Sequence, residues 1–152
     1  MKKEGVRPVA TNKKARFDFE ILSTVEAGLV LTGTEIKSVR AGRVRLQEGY
    51  AKITGGEAFL VDTYIAPFEN AGPFNHDPVR QRKLLLHKGE IQRLYGKTKE
   101  KGLSLLPLRL YLKNGKAKVE LGLGRGKRKY EKRDALRKED ARKEIQRSLK
   151  PR

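Results

Sequence analysis

Gly122, Gly124 and Gly126 stand at alternate positions and run straight into Lys127-Arg128-Lys129-Tyr130-Glu131-Lys132-Arg133. Cationic side chains at this density bind phosphate through charge neutralisation and counterion release, whatever the partner's sequence. An aromatic among them adds a face on which a base can stack. The alternating glycines remove side chains where the basic run begins, so the backbone there either bends or lies close to another surface. Groups for covalent chemistry are less well placed. His76 and Asp77 are neighbours in a proline-rich stretch, Ser38 and Ser104 lie far off in sequence, and no G-x-S-x-G, P-loop or dinucleotide fingerprint gives a nucleophile its geometry. The spacing of Gly122, Gly124 and Gly126 is not that of a dinucleotide loop, and it leads into charge rather than an apolar helix. Asp18, Glu20, Glu26, Glu35, Asp62 and Asp77 are scattered, as acids on any surface are. No residue is assigned a catalytic role, and the chain is expected not to be an enzyme.

At 152 residues the chain fits one domain with an extension. It carries 36 Lys and Arg against 18 Asp and Glu, a net charge of +18 that calls for a polyanionic partner, and nucleic acid is the obvious one. The surplus is uneven: residues 125–152 hold 13 basic and 5 acidic side chains, so this short stretch has +8 of the total. With no cysteine and two histidines, His76 and His87, neither a disulfide framework nor a thiolate metal site can form, and no metal, cofactor or small-molecule substrate is expected. The N-terminus lacks an apolar leader, and no run approaches the roughly 18 apolar residues of a membrane span. A cytoplasmic protein without a membrane partner is therefore expected.

These residues must be positioned by a mainly β body. Residues 1–14 are polar and basic and suggest a flexible arm. From Phe17 the pattern alternates, with Phe17, Phe19 and Ile21 on one side and Leu22 as the imperfect position. Val25 to Gly28 reads as a turn and Leu29 to Thr32 as a second strand. Thr34 to Ala41 changes to a helical period, with Thr34 as N-cap, Gly42 as the stop, and Lys37 and Arg40 towards solvent. Gly55-Gly56 joins Tyr50–Thr54 to Glu57–Ile65 as a hairpin. Residues 66–79, with three prolines, form a long surface loop before Lys83 to Leu86, and Lys88 to Tyr95 makes a second helix. Asn114-Gly115 marks a hairpin between Leu103–Leu112 and Lys116–Leu123, in which Leu108, Leu110 and Leu112 share a face and Pro107 implies an edge or a bulge. Short strands with Gly turns argue for an oligonucleotide-binding (OB-type) antiparallel β-barrel with short peripheral helices. The expected division is a barrel with its N-terminal arm over 1–124 and a basic tail over 125–152. In the tail, Asp134/Lys138 and Glu139/Lys143 stand at i,i+4, but the apolar stripe of Leu136, Ala141, Ile145 and Leu149 is thin. The expected behaviour is a tail disordered when free and helical on an anionic surface.

Three stretches carry a resemblance: Gly33-Thr34-Glu35-Ile36-Lys37-Ser38-Val39-Arg40, Asp77-Pro78-Val79-Arg80-Gln81-Arg82-Lys83-Leu84-Leu85-Leu86, and Lys116 to Leu121 running on into Gly126-Lys127-Arg128-Lys129-Tyr130-Glu131-Lys132-Arg133. Together they closely resemble the SsrA-binding protein family, also called small protein B, from about Asn12 to about Arg133. The resemblance implies a barrel that binds the tRNA-like domain of transfer-messenger RNA (tmRNA, or SsrA RNA) and brings it to bacterial 70S ribosomes stalled without a stop codon, in trans-translation. One protein per RNA is expected, with the tail probing the empty mRNA channel along the small-subunit rRNA.

Carried over by position, the resemblance implies RNA-binding roles for Asn12, Lys13, Glu26, Leu85, His87 and Lys118. Lysine can neutralise phosphate, Asn12 can bond a base or sugar edge, and His87 can stack or donate. Glu26 repels phosphate but can accept from a base amino group, and Leu85 in an apolar triplet can equally be core. In the tail the resemblance implies decoding-site and channel roles for Gly126, Lys127, Arg128, Tyr130, Glu131, Lys132 and Arg133, with Ile145 in an amphipathic segment beyond. Glu131 departs from the family's aspartate by one methylene. Composition alone supports an alternative, a structural ribosomal or general RNA-binding protein.

Overall fold

The computed structural model describes residues 5–100 and 102–127, together with Arg142. Its elements, in chain order, are β1 (Val6–Thr11), α1 (Lys13–Asp18), β2 (Phe19–Leu29), α2 (Gly33–Arg40), β3 (Val44–Arg45), β4 (Tyr50–Thr54), β5 (Glu57–Val61), β6 (Tyr64–Ile65), a 3-10 segment (Glu69–Phe74), β7 (Arg82–Leu85), α3 (Lys88–Thr98), β8 (Leu103–Lys113) and β9 (Lys116–Gly126). Six strands close into a ring in the order β8-β4-β5-β7-β2-β9, and β9 pairs back onto β8. Every pairing around the ring is antiparallel, and its narrowest seam is the single pair of Ala51 with Leu105. Closure of this kind leaves few free sheet edges, as the expected barrel requires. Two turns drive it: Gly55-Gly56 and Asn114-Gly115 take positive φ at both positions, as hairpins with two-residue loops require.

The barrel interior is aliphatic. Leu60, Leu110, Val119 and Leu121 are wholly buried there, each Leu stabilising the fold by about 1.5–3 kcal/mol. A second, smaller core lies beneath α1, where Ala15, Leu106 and Leu108 meet Phe19 and Ile21. Two β-bulges create it. In β2 the register shifts between Ile21 and Ser23, so Leu22 is the extra residue; Phe19 and Ile21 turn to the small core while Val25 and Ala27 turn into the barrel. In β8 the shift falls between Pro107 and Arg109, which sends Leu108 to the small core and away from Leu110 and Leu112. The single apolar face expected for those three leucines is therefore corrected, and the bulge expected at Pro107 is present.

Several other expectations change. Val6–Thr11 is not a flexible arm but strand β1, paired with β8. Phe17 belongs to α1, so the first long strand begins at Phe19. Val25 to Gly28 is no turn: β2 runs unbroken to Leu29, and Gly28 packs closely, since a Cβ there would lie 3.2 Å from Leu85 Cβ. The N-cap of α2 is Thr32, whose hydroxyl accepts from Glu35 N while Glu35 Oε1 accepts from Thr32 N at 2.9 Å. Gly42 stops that helix with φ 75°. Two of the three glycines of the last strand are contacts rather than a hinge: a Cβ on Gly122 would lie 2.6 Å from Leu108 Cδ1, and one on Gly124 would lie 3.0 Å from Phe19 Cβ, while one on Gly126 would meet nothing within 4 Å. β9 runs on past residue 124 to Gly126.

Long loop and barrel are joined through a buried charge cluster. Glu35 and Arg82 have no exposed surface, and Glu35 Oε2 accepts from Arg82 Nε at 2.6 Å while Oε1 accepts from Arg80 Nη2 at 2.5 Å. Arg82 also donates to the backbone carbonyls of Thr63 and Pro78. Burial alone raises the Glu35 carboxyl, but hydrogen bonds from Arg80, the Thr32 amide and Arg82 outweigh it and bring the pKa from 4.5 down to about 2. A folded value below the unfolded one means that ionised Glu35 stabilises the fold above about pH 4.5, and that this contribution fades as pH falls towards 2. Glu35→Gln leaves Arg82 buried without its counter-charge and should cost about 3–5 kcal/mol at neutral pH. Its deficit against the parent should narrow between pH 4.5 and 2 in denaturant unfolding, and an unchanged deficit there would count against the ion pair.

Candidate RNA interface

Four of the six residues expected to bind RNA converge. Glu26 on β2, Leu85 at the end of β7, His87 just before α3 and Lys118 on β9 line one shallow depression of about 370 Å³, together with Gly28 and Glu90. Strand pairing does the positioning, because Gly28 lies opposite both Leu85 and Lys118. Leu85 is 54% exposed, so it is not core; its methyls rise over Gly28 and offer an apolar contact for a ribose or a base face. The His87 amide donates to Glu90 Oε1 at 3.0 Å, which fixes the entry to α3 and leaves the imidazole outside. A second depression of about 320 Å³ adjoins the first, sharing Gly28, Leu85 and Lys118 and ending on Thr32, Gly33 and Ile36 of the α2 entry.

Glu26 is held in place. The Tyr111 hydroxyl donates to Glu26 Oε2, and Lys113 Nζ stands 3.7 Å from Oε1. Tyr111 is 5% exposed, although its strand position reads as polar, and Arg109 covers its ring at 4.8 Å. Glu26 also sits directly opposite Glu120, an unfavourable pairing relieved by Arg109 at 3.2 Å and Arg16 at 3.4 Å from the Glu120 carboxylate. The hydrogen bond from Tyr111, and to a lesser extent Lys113 and Lys118, hold the Glu26 carboxyl below its ordinary value against the opposing effect of burial. The Tyr111 hydroxyl is raised in turn, first by burial and then by Glu26. The result is a fixed, ionised acceptor set among cations. Such a site can take donors from a base edge beside a lysine that takes phosphate. The alternation of Arg109, Tyr111 and Lys113 in β8 was the available signal for these supporting residues, but their contact with Glu26 crosses from β8 to β2.

The other two residues stand apart. Asn12 is 1% exposed and fully engaged: its Oδ1 accepts from Ala15 N at 3.1 Å, and its Nδ2 donates to Pro107 O at 2.9 Å and Leu46 O at 3.3 Å. It caps α1 and clasps the β8 bulge, which leaves no donor for a base. Lys13, the first residue of α1, is exposed but does not line the depression. A larger cleft of about 550 Å³ beside α1 mixes Asp18 and Glu48 with Lys14 and Lys52, so it has no preference for phosphate. Of the tail residues, Gly126 ends β9 and Lys127 is anchored, its amide to Asp18 O at 2.9 Å and its Nζ to Arg16 O at 3.3 Å. Arg128, Tyr130, Glu131, Lys132, Arg133 and Ile145, and with them the expected tail helix, lie outside the described residues. Among the described residues no helix is long and apolar enough to cross a membrane. Tyr111→Phe should raise the Glu26 pKa towards 4.5 in a side-chain carboxyl NMR titration, and a Glu26 curve that stays put would show that the cations alone set it.

Similarity to known proteins agrees with the geometry. The SmpB protein family model matches residues 9–151. An SsrA-binding protein of Bacillus pumilus is 56% identical over 151 residues, covering 99% of this chain and 96% of that one. Another, from Thermosynechococcus vestitus, is 52% identical over 150 residues, covering 98% and 99%. A solved structure described as "tmRNA-SmpB: a journey to the center of the bacterial ribosome" superposes with a TM-score of 0.69 at 51% identity, covering 86% of this chain and 95% of that one. With its closed β ring, its short helices and these matches along nearly its whole length, this chain belongs to the SmpB family of SsrA-binding proteins.

Proposed function

We propose that this protein is a non-enzymatic, cytoplasmic adaptor that binds the tRNA-like domain of tmRNA and delivers it to stalled ribosomes for trans-translation. The observation that carries this reading is the convergence of Glu26, Leu85, His87 and Lys118 on one depression from three separate parts of the chain. Chemistry of this mixture suits a folded RNA better than a uniform polyanion. Lys118 takes phosphate, Leu85 and the His87 ring take a base or ribose face, and Glu26 accepts from a base amino or imino group that a duplex would hide. A purely electrostatic binder has no use for a carboxylate held in place by a buried tyrosine. The names of the relatives, and the similar structure whose description joins tmRNA, SmpB and the bacterial ribosome, support the same partners.

In this reading the folded body grips and the tail probes. Lys127 fixes where the tail leaves the body, beside Asp18 and Arg16 and away from the depression's lining. The +8 carried from Arg125 onward then suits a channel walled by ribosomal RNA phosphate, with Tyr130 beside it as a stacking group. Asn12 enters as the clasp that holds α1 to the body, and Lys13 as an outlying cation.

Three measurements test the proposal. A chain ended after Lys127 should bind the tRNA-like RNA within about tenfold of the whole protein yet fail to support peptide transfer on stalled ribosomes. Loss of RNA binding on that truncation would refute the division of labour. Lys118→Ala should weaken RNA binding and lower the slope of log affinity against log salt by about 1, with the melting temperature unchanged. If the purified protein binds duplex or ribosomal RNA as tightly as the tRNA-like RNA at physiological salt, a general RNA-binding role replaces this one.

A further inference from the structure

Phe74 is 85% exposed, more than any other large hydrophobic side chain among the described residues. A lone exposed apolar residue is ordinary on a surface, but this one sits on a loop whose root is built to hold it. Asn75, the next residue, closes the loop's neck: its Oδ1 accepts from Phe68 N at 2.9 Å and its Nδ2 donates to Phe68 O at 2.7 Å. His76 follows, with Nε2 bonded to Ile65 O at 2.9 Å and Nδ1 to the Thr34 hydroxyl at 2.8 Å. Behind these the buried cluster of Glu35 and Arg82 ties the same stretch to α2 and to Thr63, just before β6. These anchors fix the neck of the loop from which the Phe74 ring projects, so the backbone beside it is ordered by folding.

The surroundings of the loop are cationic. Lys37 lies over the Phe68 ring at 5.0 Å, Arg43 bonds Glu69 at 2.9 Å at the loop's start, and Arg45 covers Tyr64 at 4.3 Å. The loop is also continuous with the RNA face. The second depression shares Gly28, Leu85 and Lys118 with the first and ends at Thr32, Gly33 and Ile36, and the intervening Thr34 carries the bond to His76. One RNA seated over Leu85 and following the α2 entry is led to the loop.

We propose that Phe74 is a stacking platform for an unpaired base of the same tRNA-like RNA that occupies the depression, with the cations of α2 and β3 holding the flanking phosphates. This inference rests on the proposed function above and extends its RNA face to a residue that lines neither depression. An aromatic ring this exposed, set among charges, suits a base, because every base has a face to stack and a phosphate on either side. It does not suit an apolar protein groove, which needs several anchors on one face.

The chain contains no tryptophan, so Phe74→Trp places a unique fluorophore at the site in the otherwise complete protein. Titrated with the tRNA-like RNA, its emission should be quenched in step with complex formation followed separately by anisotropy of labelled RNA. Phe74→Ala should weaken binding by between about fivefold and a hundredfold. Phe74→Leu, which keeps an apolar side chain without a π face, should fall with Phe74→Ala, and melting temperatures should not move, since the side chain is almost wholly exposed. Binding by anisotropy with no quenching and no loss in Phe74→Ala would overturn the inference while leaving the proposed function intact. Parental affinity in the Phe74→Leu variant would overturn the stacking argument, and so would a tryptophan response to ribosomal proteins in place of RNA. Failure of the parent to bind this RNA at all would remove the proposed function and this inference together.

Discussion

A carboxylate and a guanidinium that have both lost all contact with water must meet, and the pairing of Glu35 with Arg82 decides how four segments of this protein come together. Glu35 belongs to α2 and Arg82 opens β7, while the remaining donors of Arg82 reach Thr63 at the end of the β5–β6 turn and Pro78 at the root of the long loop, and Arg80 donates to the same Glu35. Two hydrophobic side chains of similar size would pack as well and cost less in desolvation. What they would lack is direction. Hydrogen bonds from one guanidinium to carbonyls on separate segments fix the loop's path, and β7 cannot shift its register without breaking them. Both Leu85 at the end of β7 and His87 beyond it take their places from that register.

The second organising feature is the pair of bulges that divides the apolar residues between two cores. An uninterrupted β2 would send Phe19 and Val25 to the same face, and an uninterrupted β8 would do the same with Leu108 and Leu110. The extra residues at Leu22 and Leu108 reverse the alternation, so a patch of apolar side chains emerges outside the ring. α1 covers it, Asn12 clasps it, and Gly122 and Gly124 make room for Leu108 and Phe19. This small core is also where the last described strand ends, with Lys127 tied to the backbone of α1. The lining of the depression and the Lys127 anchor thus lie along one strand, β9, which carries Lys118 near its start and closes at Gly126, just before Lys127.

Electrostatics set the character of the interface. In a chain of net charge +18 the notable group is an anion, Glu26, kept ionised by Tyr111 and flanked by Lys113 and Lys118. Phosphate binding would be stronger without it. Under the proposed function, its place among lysines trades affinity for an acceptor that only a correctly presented donor can satisfy, which is how a cationic surface gains selectivity over charge attraction alone.

Elements with local causes could be read from the order of residues. Gly55-Gly56 and Asn114-Gly115 impose their hairpins because positive φ at both central positions is what such turns demand, and Gly42 ends α2 for the same reason. The charge, the β-rich character, the closed barrel and the resemblance carried by the motifs were also legible, as were Glu26, Leu85, His87 and Lys118 as candidates. Folding in three dimensions was needed to settle which way each side chain faces once a bulge intervenes, since one extra residue reverses every position beyond it and leaves no mark in composition. It was needed, too, to make Asn12 a clasp, to leave Leu85 exposed, and to bury Tyr111 against Glu26. Each of these depends on partners tens of residues away, brought near by ring closure, and hydrogen bonds and burial are properties of the pair in space rather than of either residue in the chain.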